Sequence, residues 1–336
     1  MELIKYKWED LRSVCETLYD NNPYLSPYQE YCFLDIIKNS TNIHNLKEWM
    51  EGKNVFYVAK EKGKIRCVLP LVVNKKRKTV NLLGHLCSVG HLDFIYNSDL
   101  LYDEFEGILD KLRILYNGYI LHLDRISQFS LTYGYLTKLG VEPKESSTCV
   151  KIDYDTYDDW FSSLSKNCRQ NVRTAYNRIK RENKVFEVTT AIGVKPTANM
   201  IEDNINLLSK RTIEHNKKSS ILFPLMKLLK GKEALTKALM TSERFIGANV
   251  YLDGKAIAIC NGVIANDGRA IITRLSIDTN YGVYCPGGLI INELIKAAIS
   301  SDIRISSIDL SRGDEKYKYT YGGSEHFNYE YEIPLL

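Results

Sequence analysis

Three apolar runs in the second half of the chain, residues 245–251, 256–265 and 269–277, are separated by Asp253-Gly254 and by Asn266-Asp267-Gly268. Strand-length runs joined by Asp-Gly dipeptides predict a meander of hairpin-linked strands, because glycine supplies the positive φ that tight hairpin turns need. The period then changes. Ile290, Leu294 and Ala298 recur beside Ile291, Ile295 and Ile299, behind Pro286, so residues 286–300 predict a helix with proline in its first turn. Residues 305–310 are one more apolar run. Phe327, Tyr329, Tyr331 and Ile333 then alternate with Asn328, Glu330 and Glu332, the period of a half-buried closing strand.

The first half repeats that order, with strands predicted at 54–59, 65–73 and 79–83, a turn at Lys62-Gly63, a helix over 100–116 and a strand at 119–123. Small details echo as well. Phe56-Tyr57-Val58 ahead of Gly63-Lys64 parallels Ala248-Asn249-Val250 ahead of Gly254-Lys255, and Leu121-His122-Leu123-Asp124-Arg125 parallels Ile308-Asp309-Leu310-Ser311-Arg312. An internal duplication accounts for both. Helix is expected over 156–184, linking the halves, and over 196–211 and 223–240. The predicted fold is α/β, in two similar domains at 1–150 and 151–336.

A chain of 336 residues exceeds what one hydrophobic core usually supports, which agrees with two domains. With 44% hydrophobic and 26% charged residues it has the composition of an ordinary globular protein, so disorder and coiled coil are excluded. No run approaches the roughly 18 apolar residues of a membrane span. Glu2, Lys5, Lys7 and Glu9 interrupt the start of the chain, so no signal peptide is expected and a cytoplasmic location is. Eight cysteines without a Cys-x-x-Cys pair suit a reducing compartment. A net charge of +4 is too small to predict DNA binding.

Four segments carry candidate chemistry. Tyr281-Gly282-Val283-Tyr284-Cys285-Pro286-Gly287-Gly288 leads into the helix at 286–300, where glycines and free helix N–H groups suit a phosphate such as the pyrophosphate of coenzyme A. Asp309-Leu310-Ser311-Arg312-Gly313-Asp314-Glu315-Lys316-Tyr317-Lys318 crowds acids, cations and tyrosines at the end of a buried-type strand. Lys166, Arg169, Arg173 and Lys180 share one helix face opposite Val172, Ala175 and Ile179, a basic surface for phosphate or RNA. His85, Cys87 and His91 lie close together, but no fourth ligand follows at zinc-finger spacing, so no metal is expected. His215 is a lone candidate base, and Arg274 a cation on the third strand of the meander.

At these residues the chain resembles the two-domain GNAT-fold acyltransferases of the CelD-like, cellulose-biosynthesis group, related to the Fem-type aminoacyl transferases. The matching pieces are Leu164 through Arg173, the Asp253-Gly254-Lys255 hairpin, Tyr281 with Pro286-Gly287-Gly288, and Asp309 through Lys318, with 84–94 and 121–126 in the first half. The usual GNAT phosphate loop, Arg or Gln followed by x-x-Gly-x-Gly or Ala, is replaced by Cys285-Pro286-Gly287-Gly288.

The resemblance implies tandem GNAT-like domains, each a mixed, mostly antiparallel sheet flanked by helices. It implies acetyl-CoA or another acyl-CoA as co-substrate, no metal, and an amine acceptor, here an amino sugar that is nucleotide-linked and used in surface polysaccharide assembly. Asp309, Asp314 and His215 are then candidates to accept a proton, and Lys318 to fix substrate charge or the oxyanion. Tyr284, Pro286, Gly287 and Gly288 would hold the donor, and Arg169, Arg173, Arg274 and Tyr317 the acceptor. Two alternatives stand beside this one. A Fem-type enzyme would take aminoacyl-tRNA as donor and a cell-wall precursor as acceptor. A catalytically silent scaffold would use the basic helix to bind RNA.

Overall fold

The computed structural model describes residues 1–20, 22–39, 52–87, 89–216 and 239–336. In chain order the elements are β1 (Glu2–Tyr6), α1 (Arg12–Tyr19), α2 (Tyr31–Asn39), β2 (Lys53–Glu61), β3 (Lys64–Asn74), β4 (Thr79–Leu82), β5 (Ile95–Tyr96), α3 (Tyr102–Leu115), β6 (Tyr119–Ser127) and α4 (Leu131–Lys138). There follow β7 (Glu145–Asp153), α5 (Tyr157–Ser163), α6 (Lys166–Arg181), β8 (Phe186–Ile192), α7 (Ala198–Asn216), β9 (Phe245–Leu252), β10 (Lys255–Ile264), β11 (Arg269–Ile277), α8 (Pro286–Ile299), β12 (Ser307–Arg312), α9 (Lys316–Thr320) and β13 (Ser324–Leu335). The expected helix over 223–240 falls almost wholly outside the described residues. Among the described residues, no helix is long and apolar enough to cross a membrane.

The chain divides into two compact units. Met1–Thr148 and His326–Leu336 belong to the first, residues 149–216 and Leu239–Glu325 to the second. In the first unit β1, β2, β3 and β4 pair antiparallel in sequence, β4 pairs parallel with β6, and residues of β13 run antiparallel to β6, Tyr331 against Leu123 and Leu335 against Tyr119. Buried Tyr331, Ile333 and Leu335 alternate toward the core, as their period requires. Sequence reading placed all of 326–336 with the second domain; these residues close the sheet of the first unit, because period reports a buried face and is silent about which strand supplies the partner.

The second unit has the same plan. β8, β9, β10 and β11 are antiparallel neighbours, β11 pairs parallel with β12, and β12 pairs antiparallel with β7. The predicted α/β fold, with mixed and mostly antiparallel sheets and flanking helices, is the fold observed. Lys62 and Gly63, and again Asp253 and Gly254, both take positive φ (49° and 78°, 51° and 74°), which matches hairpin turn to strand twist at each two-residue connection. Ala248, Val250, Ala258, Cys260, Ile272 and Ile308 turn one face of this sheet into a core with Leu289, Ile290 and Leu294 of α8 and Val172, Ala175 and Ile179 of α6. The intervening residues Asn249 and Asn261 face α7, where the Asn204 amide bonds both.

Candidate active site

The parallel ladder between β11 and β12 is short. Its register runs Arg269↔Ser307, Ala270↔Ile308 and Ile271↔Asp309 and ends there, while β11 continues to Ile277. The cause is local. Ser311 takes a left-handed φ of 57°, uncommon for a residue with a side chain, and this bends β12. Two bonds hold the bend: the Ser311 N–H donates to Asp309 Oδ1 at 2.8 Å, and its hydroxyl donates to the Ile272 carbonyl at 2.7 Å. β11 also shifts against β10, since Gly262 faces Ile272 but Asn261 faces Arg274, which makes Thr273 the extra residue of a bulge. Glycine is required at 262 because a Cβ there would collide with the Ile271 carbonyl.

β11 leads directly to the start of α8. Asp278, buried at the strand's end, accepts from the Asn280 N–H at 3.1 Å and from Lys210 Nζ at 2.7 Å. Burial alone would raise its carboxyl, but Lys210, the Asn280 N–H and Lys255 outweigh it and hold the group below the usual carboxylate range. A turn over Thr279–Tyr284 follows, then Cys285 with φ 50°, whose carbonyl accepts from the N–H groups of Gly288 and Leu289 at 2.9 and 3.0 Å. The two glycines differ. A Cβ on Gly288 would lie 2.5 Å from Tyr321 Oη and 2.8 Å from Cys285 Sγ, whereas one on Gly287 would meet nothing within 4 Å. The first turn of α8 is thus closed on the Gly288 side and open at Gly287.

Helix α6 braces this turn. Arg178 donates to the Val283 carbonyl at 2.8 Å, and Tyr284 Oη donates to Glu182 at 2.5 Å. The basic face predicted for α6 is present, with Lys166, Arg173 and Lys180 exposed. Arg169 instead turns back: its Nη1 donates to the carbonyls of Ser162 and Leu164, capping the end of α5, because the chain breaks at Leu164 and Ser165 restarts it as an N-cap for Cys168. The Arg173 guanidinium lies 5.5 Å from the Phe161 ring centroid.

The segment after β12 also departs from its expected use. Lys318 is 2% exposed, and its Nζ donates to the carbonyls of Ser311, Arg312 and Gly313 at 2.9, 2.8 and 2.9 Å, with Glu315 at 3.0 Å. An ammonium has three protons, and these carbonyls engage all three. The group held in reserve for substrate charge clamps the bend that ends the ladder. Asp309 is fully buried, with Oδ2 3.7 Å from Arg269 Nη1. Asp314 and Tyr317 are exposed. The side chain of His215 lies outside the described residues.

Residues 166–319 match the family model of the GNAT acetyltransferase domain. That match, over somewhat less than half of the chain, supports an acyltransferase of GNAT fold. The matched span contains α6, the shortened ladder, the start of α8 and Asp309 through Lys318. No curated protein sequence matches the chain. Among solved structures it is similar to FemX (11% identity, TM-score 0.64, covering 99% of this chain and 97% of that one). It is also similar to a tandem GNAT protein from the clavulanic acid biosynthesis pathway (8%, 0.52, 100% and 98%) and to L-PGS from Bacillus licheniformis (12%, 0.51, 89% and 90%). At these identities the likeness is one of fold.

On the α7 face, the second unit holds a polar cluster that sequence reasoning missed. Asn261 Nδ2 donates to Asn204 Oδ1 at 2.5 Å, Asn204 Nδ2 to Asn249 Oδ1 at 3.1 Å, Asn249 Nδ2 to Tyr251 Oη at 3.2 Å, and Tyr251 to Asp203 at 2.7 Å. All three asparagines are buried, and Asn261 Oδ1 has no hydrogen-bond partner among the described residues. Arg274, opposite Asn261 across the bulge, shares this face. A signal existed, since asparagine at inward positions of strands such as 245–252 and 255–264 is unfavourable unless a buried network needs it.

The first unit has the same short ladder, ending at Asn81↔His122. Arg125, with φ 60°, donates to the carbonyls of His85 and Cys87 at 2.7 Å each, and its own carbonyl accepts from the Leu92 N–H at 3.2 Å. Residues 83–87 and 89–94 are thereby tied to Arg125 just past the end of the ladder. His85 Nδ1 lies 3.1 Å from the Leu82 carbonyl, and His91 Nδ1 3.1 Å from Asn328 Oδ1.

Proposed function

We propose that the GNAT domain transfers an acyl group, acetyl in the first instance, from acyl-CoA to the amine of a nucleotide-linked amino sugar, acting in the cytoplasm in surface polysaccharide assembly as the CelD-like resemblance implies. The observation that carries the reading is the end of the β11–β12 register at Ile271↔Asp309, with helix α8 starting from the same strand end and its first turn open at Gly287. Parallel strands that part at their carboxyl ends beside a helix N-terminus form the crevice in which α/β sheets take anionic ligands.

In this reading the donor lies along β11 beyond Ile272, its amides continuing the interrupted ladder, with its pyrophosphate at the open side of the Pro286-Gly287-Gly288 turn, against Gly287, and Tyr284 beside it. The acceptor enters from the α7 face, where Arg274 and the asparagine cluster supply polar partners; Arg169 and Arg173 stand on α6, across the sheet from it. The amine attacks the thioester carbonyl, and backbone N–H groups at the Thr273 bulge stabilise the tetrahedral oxyanion. Its collapse expels the coenzyme A thiolate, which takes a proton, and leaves the amide. Asp314 and His215 are the candidates for the proton lost by the amine. A general base contributes about 10² to 10⁴ in rate, less than the effective molarity of about 10⁵ M or more gained by holding both substrates together, so no single base needs to be indispensable. Asp309 and Lys318 act by shaping the crevice.

A second reading, Fem-type transfer from aminoacyl-tRNA to a cell-wall precursor, is favoured by the full-length fold likeness to FemX and by the exposed cations of α6. Thermal shift with acetyl-CoA, followed by thiol-release assays across amino sugars, tests the first. A shift with charged tRNA and none with any thioester would transfer the assignment to the second.

A further inference from the structure

The N-terminal ends of β4 and β6 bring two exposed connections side by side in the first unit. One is the β3–β4 turn, Lys75-Lys76-Arg77-Lys78, four consecutive exposed cations. It is a built turn, since the Arg77 N–H donates to Asn74 Oδ1 at 3.0 Å and Lys78 takes φ 52°. The other runs from the end of α3 into the start of β6, with Ile114 and Leu115 in the last turn of α3 and Ile120 in β6 at 73%, 49% and 38% exposure, and half-buried Tyr116 and Tyr119 between them. The two connections are bonded, the Ile120 N–H donating to the Lys78 carbonyl at 3.0 Å, and Thr79 and Ile120 are the first pair of the ladder. Asp110, the acid on this part of α3, is paired with Arg113 at 2.7 Å.

The fold does not require this character. In the second unit the corresponding bond runs from the Ser306 N–H to the Gly268 carbonyl at 2.9 Å. There the turn reads Ala265-Asn266-Asp267-Gly268 and the helix-to-strand connection Ser300-Ser301-Asp302-Ile303-Arg304-Ile305-Ser306, with Asp302, Ile303 and Arg304 exposed. One topology therefore carries an end of mixed charge with one exposed aliphatic in one unit and a strongly basic end with three exposed aliphatics in the other.

We propose that this end of the first unit seats the protein on the surface of an anionic lipid bilayer. Cations next to exposed aliphatics and tyrosines suit such a surface: the cations meet the headgroup charge, and the apolar side chains enter the boundary between headgroups and acyl chains. A nucleic acid would use the cations but offers little to Ile114 and Leu115. The proposal is independent of the transfer reaction.

The test is sedimentation of the full chain with vesicles of phosphatidylcholine containing phosphatidylglycerol, against phosphatidylcholine alone. The chain pellets with the anionic vesicles only. Replacing Lys75, Lys76 and Arg77 together by Gln weakens this on the order of a hundredfold, each cation being worth about fivefold near such a surface. The pair Ile114→Ser and Leu115→Ser weakens it at least about tenfold. All five positions are exposed, so melting curves should match the parent chain and separate lost binding from lost folding. Failure to pellet would overturn the proposal, as would pelleting indifferent to Ile114 and Leu115. RNA binding that needs the cations, ignores the aliphatic pair and displaces the vesicles would assign the surface to nucleic acid instead.

Discussion

The hydroxyl of Ser311 donates to the carbonyl of Ile272 at 2.7 Å, one step past the last pair of the β11–β12 ladder. A side chain therefore occupies the place where the next ladder bond would form. Ser311→Ala removes that bond and keeps a side chain at a left-handed φ, so it should cost about 1–2 kcal/mol in urea unfolding and weaken acetyl-CoA binding. Ser311→Gly relieves the backbone while losing the same bond, and should recover part of the stability but not the affinity.

Lys318→Met strips three carbonyls of their shared cation inside a buried bend. We expect a loss of at least ~3 kcal/mol, read from chemical denaturation, with acyl-CoA binding lost in parallel. A variant of unchanged stability and abolished turnover would return Lys318 to direct chemistry.

The glycines of α8 should separate. Gly288→Ala forces a methyl against Tyr321 Oη and Cys285 Sγ and should lower the melting temperature, with partial recovery when Tyr321→Phe removes the hydroxyl. Gly287→Ala meets nothing and should leave the melting temperature unchanged or raised, since alanine favours helix by up to about 1 kcal/mol over glycine.

In the first unit, burial raises Asp93 from 3.8 to about 7, against the opposing bonds from Thr132, the Phe94 N–H, Ser130 and Tyr96. The folded state then holds this proton more tightly than the unfolded chain. The resulting stability is complete below pH 4 and is lost as pH rises through about 7, by up to roughly 4 kcal/mol. Asp93→Asn should flatten the pH dependence of thermal stability across that window.

The hairpins at Lys62-Gly63 and Asp253-Gly254 and the helix at 286–299 were legible because turn chemistry and helical period are short-range. The partner of Lys318 was not, because its carbonyls are gathered by left-handed backbone at Ser311 and Gly313 that composition does not reveal. Arg169 was placed on the right helix face, yet its contacts depend on the break at Leu164, a tertiary detail. Asn249 and Asn261 could have been singled out as amides at inward strand positions, a pattern that is costly unless it serves a network.

The account rests on an acyl donor lying between β11 and β12 with its anionic end at the start of α8. Calorimetric titration of acetyl-CoA into the parent chain and into Gly287→Asp tests this most directly, because a carboxylate there suits a helix N-terminus but repels phosphate. The account predicts binding by the parent chain and at least about tenfold weaker binding by an equally stable variant, the cost of roughly 1.4 kcal/mol of repulsion. Equal affinity in the two, or no binding by the parent chain, would contradict it.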